Sequence, residues 1–551
     1  MTTKLINVPA WLAILVLSST FAQQASPPPP GPEDSILRAM KVELERSKAQ
    51  LKLGQMAAPY YIDYRVFDVD GRVAQASYGT LRTDVRTRLR LARVVVRVGD
   101  YKQDSFFGQG EGVVEAIPVD DDELAIRHSL WLATDGAYKR ATEALAAKQA
   151  QLKQYTVEQP VDDFAHAAPV QAIGPLAKLD LDASPWLQAL QEASALYKTD
   201  PEVESVNASL DFHVVNRYFV NTEGTIVRSG QAVYEVRVSA NTQAADGMEL
   251  GRESAIFLND RTELSSPGKV VSRTAEMLRD LKEERAAPVV EEEYRGPVMF
   301  SAVASSAVFA DLIGENILGQ KPGLGQGSRV RGAFASSYKA RVLPDFLSVV
   351  DDPTLASFNG KPLLGNYEVD DEGVKAQRVS VIEQGKLVNY LMSREPIRDF
   401  PGSNGHGRAR GPANAPAPYL GNMLVTSSEA LPAKELKQKL IDLCRDRGLP
   451  YGFYVESLAR LRDPRALYKV WVKDGHEELV RGASLDDLDA RTLRNDLIAA
   501  GDDPYVGNRA LNIPHSIVTP SILLDELVVK RQSAKNAKLP EYPAPPLAPA
   551  M

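Results

Sequence analysis

Cysteine and excess positive charge are both scarce in this sequence. Its 551 residues include a single cysteine, Cys444. One thiol excludes an intrachain disulfide framework and any metal site that needs several cysteines of this chain. The 64 lysine and arginine residues are outnumbered by 72 aspartate and glutamate residues, which gives a formal net charge of -8. Because phosphate recognition requires a basic surface, we expect no nucleic acid partner.

Long apolar runs are also missing, apart from a short one near the N-terminus. Residues 10–17 (AWLAILVL) follow Lys4 and precede Thr20 and Ala22, small residues that suit signal peptidase. The run is shorter than the roughly 20 residues of a membrane-spanning helix, and the pattern is typical of an export signal. We therefore predict a signal peptide over residues 1–22. The protein is expected to be exported, periplasmic or secreted, with no membrane span after signal cleavage.

The composition is that of a globular protein with more than one core. Of its residues, 44% are hydrophobic and 25% are charged, a balance that favours two domains at this length. Proline-rich segments lie at both ends of the region that is expected to fold. The predicted organisation is a signal peptide (1–22), a proline-rich linker (23–33), an N-terminal α+β domain (34–290), a C-terminal domain (291–536) and a disordered tail (537–551).

Apolar periodicity in the N-terminal half predicts helices followed by strands. Residues 35–53 and 120–155 have the spacing of helices. Residues 60–69 and 86–98 are rich in β-branched and aromatic side chains, which predicts strands, and Asp70-Gly71 predicts a turn between sheet segments.

A second unit of the same kind begins near Pro185 with a helix. Strands are predicted over 203–220 and 233–240, joined by a turn at 222–224. In the C-terminal half, Glu372-Gly373 and Gln384-Gly385 separate strands and indicate antiparallel hairpins. The predicted fold class is α+β, with two domains and mainly antiparallel sheets with packed helices.

Five segments carry a resemblance to a known family. They are 221–224 (NTEG), 294–319 (YRGPVMFSAVASSAVFADLIGENILG), 349–355 (VVDDPTL), 367–394 and 402–422. In residue type and order they resemble the TldD/PmbA (TldE) family of metalloprotease-related proteins, also called the modulator of DNA gyrase family. The resemblance covers most of the chain that follows the predicted signal, and it implies a TldD/PmbA-like fold.

The resemblance also implies where a zinc site would lie. Active members carry HExxxH on the helix after the GPV strand, where two imidazoles and a later cysteine bind zinc and the glutamate acts as base. Here the histidine positions align with Ala310 and Glu315, the base with Asp311 and the cysteine with Val506. We therefore predict no catalytic residue and no metal site in this chain, with zinc expected in a partner subunit.

Two further candidates have structural explanations. Cys444 lies on the apolar stripe of a helix predicted over 432–447, which indicates a buried thiol. His476 opens a segment that begins like a zinc motif, but the segment ends in Arg481 and follows a turn at 473–475. That pattern predicts a hairpin.

The segment 402–418 is rich in glycine, serine and proline. This composition predicts an ordered surface loop, and the resemblance implies that the loop lies beside a binding cleft. The candidate substrate-binding residues are Ser403, Asn404, Gly405, His406 and Asn422. We expect His406 to be an exposed loop side chain that faces the peptide.

These observations favour a non-catalytic, TldE-like subunit of a heterodimer. Its zinc-bearing TldD-like partner would complete a chamber in which unfolded peptide binds by strand addition and is cleaved. Two alternatives stay open. The chain could be a metallopeptidase that is active by itself, with Asp311 and Glu315 in an atypical site, or a peptide-binding structural homodimer.

Overall fold

The computed structural model describes residues 34–52, 54, 56–154, 161–258, 266–326, 329–510 and 513–532. The predicted signal peptide, the proline-rich linker and the C-terminal tail lie outside the described residues. Across the described ranges, no helix is both long and apolar enough to cross a membrane.

The N-terminal region forms one sheet and four helices within the described residues. The helices are α1 (Ser35–Gln50), α2 (Glu123–Leu152), α3 (Ser184–Ala195) and α4 (Gly268–Ala286). The strands are β1 (Tyr61–Ser77), β2 (Thr80–Arg97), β3 (Val113–Ala116), β4 (Gln171–Ile173), β5 (Val203–Asn221), β6 (Ile226–Gln243) and β7 (Glu249–Phe257). Their order in the sheet is β3-β2-β1-β5-β6-β4, and β7 pairs with β6.

The predicted turn at Asp70-Gly71 is wrong. Strand β1 continues through both residues, and Gly71 pairs with Thr87 on one side and with His213 on the other. Asp70 forms a cross-strand ion pair with Arg86 at 2.9 Å, which stabilises extended pairing where the dipeptide alone suggests a turn. The chain reverses instead at residues 78–79, where φ is positive at both positions.

All four helices cover the same face of this sheet, at its two ends. Even-numbered residues of β1 point to the helices: Tyr64 and Val66 pack with α1 and α2, whereas Ala74 and Ala76 pack with α3 and α4. Because side chains alternate along a strand, the odd-numbered residues form the opposite face. Part of that face meets the C-terminal region, where Arg93 Nη1 donates to the Ala413 carbonyl oxygen at 2.9 Å.

The C-terminal region begins with β8, so the predicted boundary at 290–291 lies between α4 and β8. Its described helices are α5 (Ala302–Leu312), α6 (Ala433–Asp446) and α7 (Ala490–Asn495). Its described strands are β8 (Tyr294–Phe300), β9 (Leu347–Asp351), β10 (Ser357–Phe358), β11 (Lys361–Pro362), β12 (Val379–Glu383), β13 (Lys386–Leu387), β14 (Gly407–Arg408), β15 (Ala417–Pro418), β16 (Asn422–Ser427), β17 (Tyr451–Arg460), β18 (Asp463–Trp471), β19 (Glu477–Val480), β20 (Ala483–Asp486), β21 (Leu497–Ala500), β22 (Tyr505–Arg509), β23 (His515–Thr519) and β24 (Ile522–Arg531).

Two large sheets enclose α5. One has the order β19-β18-β17-β8-β24-β20, with β21 also on β24, and the other has the order β13-β12-β9-β16-β23-β22. Helix α5 contacts β17 of the first sheet and both β22 and β23 of the second. Most strand pairs are antiparallel, with parallel pairing of β8 to β17, β16 to β23 and β4 to β6. The predicted α+β class is confirmed.

The structural explanations of Cys444 and His476 are also confirmed. Cys444 is fully buried on α6, and its Sγ lies 3.8 Å from the Tyr294 hydroxyl. His476 lies in the tight connection between β18 and β19, where Gly475 has a positive φ.

Candidate functional site

Helix α5 is held firmly at its N-terminus. The Ser301 side chain accepts a hydrogen bond from the Ala304 N–H at 3.0 Å and donates one to the Glu456 carbonyl oxygen at 2.6 Å. A capping serine satisfies an N–H that the helix cannot pair internally. Val308 and Phe309 are fully buried, so the orientation of the helix about its axis is fixed by packing.

The positions that align with the family motif lie at the C-terminal end of α5. Ala310 is buried, whereas Asp311 and Glu315 are exposed, the latter in a short 3-10 turn that follows the helix. Although the Asp311 side chain is accessible to solvent, surrounding protein atoms displace part of the water around its carboxyl and raise its pKa, and the nearby charge of Arg509 opposes that shift. The carboxylates of Asp311 and Glu315 therefore face solvent. Of the aligned positions on this helix, only Ala310 points between the two sheets, and its side chain is a methyl group.

Val506 points away from this helix. Its side chain packs with Leu363 and Val518. The neighbouring Gly507 faces α5, because a Cβ added there would lie 3.1 Å from Ser306 Oγ. Adjacent residues of a strand point to opposite faces, so the structure does not bring Val506 together with Ala310.

The residues at these positions do not fit the zinc site of the family. Ala310 supplies no donor atom, Asp311 and Glu315 supply only oxygen, and a side chain at 506 is directed to the other face of β22. Zinc in peptidases is held by imidazole, thiolate and carboxylate ligands that converge on one point. Across the described residues, no group of three or more histidine, cysteine, aspartate and glutamate side chains could hold a metal ion.

The expectation that His406 is an exposed loop side chain is wrong. Its side chain is fully buried, with Nε2 3.0 Å from Oδ1 of the equally buried Asp351. Nδ1 lies 3.0 Å from both the carbonyl oxygen and Oδ1 of Asn404. The Asn404 amide is oriented by the Met392 N–H, which donates to Oδ1, and by the Tyr390 carbonyl, which accepts from Nδ2. Both ring nitrogens thus lie within hydrogen-bond distance of oxygen atoms, which fixes the orientation of the ring.

The other predicted substrate-binding residues hold backbone rather than line an open surface. Ser403 Oγ donates to the Met392 carbonyl oxygen. Asn422 is fully buried, and its amide bonds to the backbone of three residues, Asp352, Leu355 and Gly365.

Close packing explains the glycines of this segment. Gly405 has φ of 77°, and a Cβ there would lie 2.2 Å from the Lys375 carbonyl oxygen. The segment from Ser403 to His406 is therefore part of the core, which composition alone did not reveal.

An open groove that the sequence did not indicate lies between the two regions of the chain. It has a volume of about 670 Å³, and its walls come from β7 and α4 on one side and from β11 and β22 on the other. Strand β22 is the last strand of its sheet, and β7 pairs with β6 alone among the described strands. Because its two walls come from elements that are far apart in the sequence, no local pattern could predict the groove.

A buried ion pair joins the two regions. The Arg394 side chain is fully buried and bonds to both carboxylate oxygens of Glu223, at 2.7 and 2.8 Å. It also donates to the Ala165 carbonyl oxygen and to the Tyr61 hydroxyl. Such a bidentate, hydrogen-bonded pair fixes the relative position of its partners more tightly than an exposed pair does.

Comparison with known proteins agrees with this architecture. Residues 293–531 match the model of the PmbA/TldA metallopeptidase C-terminal domain. The C-terminal region is a PmbA/TldD-family domain. Its fold is similar to that of TldE from Thermococcus kodakarensis, with a TM-score of 0.56 at 11% identity over 89% of this chain and 100% of that one.

Two curated proteins that are similar to this chain are named as metalloproteases. The metalloprotease of Archaeoglobus fulgidus is 28% identical over 195 residues, which is 33% of this chain and 42% of that protein. The metalloprotease TldD homologue of Buchnera aphidicola subsp. Schizaphis graminum is 22% identical over 358 residues, 60% of this chain and 69% of the homologue. The chain thus spans less than half the length of the Archaeoglobus protein.

The PmbA/TldD-like segments 221–224 and 367–394 meet in the structure. Glu223 belongs to the first and Arg394 to the end of the second, so their ion pair joins two segments that the resemblance singled out separately. One residue from each of these two segments thus takes part in the contact between the N-terminal and C-terminal regions.

A second buried carboxylate lies next to that pair. Glu372 accepts from the Arg394 backbone N–H at 2.6 Å, and a Cβ on Gly407 would lie 2.3 Å from its Oε2. Burial first, and then the charge of Asp370, raise the pKa of Glu372 to about 8. The folded chain therefore favours the protonated form of this group.

The pH dependence of stability is expected to change in Glu372→Gln. Since the pKa of Glu372 in the folded chain lies above its usual value of 4.5, the contribution of Glu372 to stability is complete below that pH and is lost as the pH rises towards 8. Glutamine keeps the accepting oxygen and cannot ionise. The free energy of unfolding of the variant relative to that of the wild type should therefore rise by about 2–4 kcal/mol between about pH 5 and pH 8. Chemical unfolding at both pH values measures this, with exposed Glu368→Gln as control. Parallel pH profiles for wild type and Glu372→Gln would contradict the shift.

Proposed function

We propose that this chain is a non-catalytic, TldE-like subunit that works with a zinc-bearing TldD-like subunit in peptide proteolysis. The observation that carries the proposal is the donor set at the end of α5. Ala310 has no ligand atom, and Val506 is directed away from it. A zinc peptidase needs three converging protein ligands and an open position for water, so the zinc is assigned to the partner.

Export of the chain is part of the proposal and is supported by residues 1–22. Their positive start, short apolar run and small residues match a cleavable signal. The mature N-terminus, read by mass spectrometry, is expected near Gln23, and recovery of an intact Met1 would contradict export by cleavage.

Binding of unfolded peptide is assigned to the groove between β7 and β22. Both strands have an edge without a neighbouring strand in the described part of the chain. An extended peptide can pair with such an edge through its backbone, and this pairing is largely independent of sequence. The walls offer apolar contact from Ile256, Phe257 and Tyr505 and charges of both signs from Arg273 and Glu276. These features suit substrates of varied sequence.

Zinc content and peptidase activity test the catalytic part of the proposal. After dialysis, the mature chain is expected to hold far less than one zinc per chain and to cleave no peptide by itself, because converging ligands are missing. Cleavage should appear when the zinc-bearing TldD-like subunit is added. Zinc that is retained near one per chain, or peptidase activity of the chain alone, would contradict the non-catalytic assignment.

Filling the groove tests the peptide-binding part. Ala255 is exposed and lines the groove on β7, so Ala255→Trp should obstruct it without disturbing the core. We expect a roughly ten-fold loss of affinity for a labelled unstructured peptide, measured by fluorescence anisotropy, because backbone pairing with the edge is blocked. The matched control is Ala147→Trp, at an exposed position of α2. Equal affinities of the two variants would remove the groove from peptide binding.

A further inference from the structure

A small cavity lies where the odd-numbered face of the N-terminal sheet meets the C-terminal region. Its volume is about 130 Å³. One wall is formed by β1, β5 and β6, and the other by Asp371, residues 408–409 and 411–412, Ala510 and Ile513-Pro514. A cavity of this size holds several water molecules or an organic group of a few heavy atoms. It is separate from the groove between β7 and β22, with which it shares no lining residue.

The cavity carries more positive than negative charge. Two guanidinium groups line it, those of Arg217 and Arg408, against the single carboxylate of Asp371. That carboxylate is already engaged, because its Oδ2 accepts from the Ala409 N–H at 2.8 Å and lies 3.6 Å from Arg408 Nε. One carboxylate therefore faces two cations in a site that is largely removed from water.

Neither guanidinium is fully satisfied within the described part of the chain. Arg408 is 8% exposed, stacks on the Tyr367 ring at 4.1 Å, and has no hydrogen-bond partner for Nη1. Arg217 donates one side-chain hydrogen bond, from Nη1 to Gln231 Oε1 at 3.0 Å. Burial lowers the pKa of Arg217, and the charge of Arg408 adds to that effect while Asp371 opposes it. A bound anion would relieve the repulsion between the two cations.

Apart from His213 and Gln231, the rest of the lining is mainly apolar, and this limits which anions would fit. Phe67, Val215, Val233 and Ile513 present hydrocarbon to the cavity. A planar carboxylate matches the fork of an arginine, and a short alkyl group attached to it would bury its surface against these side chains. Inorganic phosphate would match the arginines but would leave the apolar walls without a partner.

We propose that this cavity binds a small carboxylate that carries a short apolar group, with the carboxylate between Arg217 and Arg408. The ligand is either a free acid or the C-terminal end of a peptide, which share this chemistry. Because the walls come from both regions of the chain, the bound acid stabilises the packing of the N-terminal sheet on the C-terminal region. The site does not depend on the proposed role in proteolysis.

Thermal unfolding and calorimetry of the full mature chain test the site. Isovalerate is the probe, and isovaleramide, which has the same shape without charge, is its control. Isovalerate should raise Tm in a saturable way at up to about 50 mM, while isovaleramide should not. Equal effects of the acid and the amide, or no effect of either, would overturn the proposal without recourse to any variant.

Variants then locate the site. Arg217→Gln should weaken isovalerate binding at least roughly ten-fold, because the charge-assisted bonds are lost. Arg86→Gln, on an exposed arginine of the same sheet, should leave it unchanged. Unchanged binding in Arg217→Gln would overturn the assignment, and so would saturable binding of inorganic phosphate in place of isovalerate. A short peptide that ends in a valine carboxylate distinguishes the two sources of the ligand, with the same peptide ending in an amide as its control. If the peptide acid competes with isovalerate, the site binds peptide C-termini. If it does not compete, the site binds free acids.

Discussion

Replacing His406 with alanine is expected to lower the free energy of unfolding by about 3–5 kcal/mol, because it removes a ring that bonds to a buried carboxylate and leaves a cavity in its place. Asp351 is fully buried, and Nε2 of the ring lies 3.0 Å from its Oδ1. The Gly421 N–H would remain as a donor to this carboxylate. Urea unfolding followed by tryptophan fluorescence measures the loss.

An exposed pair of the same residue types provides the control. His213 lies 3.0 Å from Asp211, whose side chain is 55% exposed. His213→Ala should change stability by less than about 1 kcal/mol, because water replaces the contact. If His406→Ala costs no more than His213→Ala, the buried contact between His406 and Asp351 does not exist as described. Loss of peptide cleavage in His406→Ala would report on folding rather than on contact with substrate.

Arg394→Met is expected to cost a comparable amount, about 3–5 kcal/mol, through the contact between the two regions of the chain. The variant keeps much of the apolar stem and removes the bonds to Glu223 and to the Ala165 carbonyl oxygen. Glu223 would retain the Tyr101 hydroxyl as a donor but no longer face a guanidinium. The expected result is unfolding at a lower urea concentration and faster proteolysis in the connection between α4 and β8.

The matched control for this variant is Arg447→Met. Arg447 bonds to Asp525 at 2.6 Å, but the two side chains are 33% and 38% exposed. Its loss should cost less than about 1 kcal/mol. Limited proteolysis that is equal in the two variants would show that Arg394 does not hold the regions together.

Features that depend on neighbouring residues were predictable from the sequence. The turn at 222–224, the apolar stripe that buries Cys444 and the hairpin around His476 follow from side-chain periodicity and turn residues. The α+β class follows from the same patterns. Each of these depends on contacts within a short stretch of chain.

Features that depend on distant residues were not predictable. The glycine and serine residues around His406 predict an exposed side chain. The ring is buried because it contacts Asp351, which is 55 residues away in the sequence. Glu223 and Arg394 are 171 residues apart. The direction of Val506 depends on which residue of β22 faces α5, and alignment to a motif carries no information on that choice.

Gly507 limits how a chain with this structure could acquire a zinc site by mutation. The side of β22 that faces α5 is occupied by Gly507, where even a Cβ would lie 3.1 Å from Ser306 Oγ. A lineage with this geometry cannot acquire a zinc site by mutating Ala310, Glu315 and Val506 alone, because the third ligand would point away from the other two. It would first have to enlarge the space beside Ser306 or shift the strand by one residue, and a one-residue shift would turn every side chain of β22 to the other face. A route to a zinc peptidase therefore passes through intermediates with damaged packing, which natural selection is expected to remove.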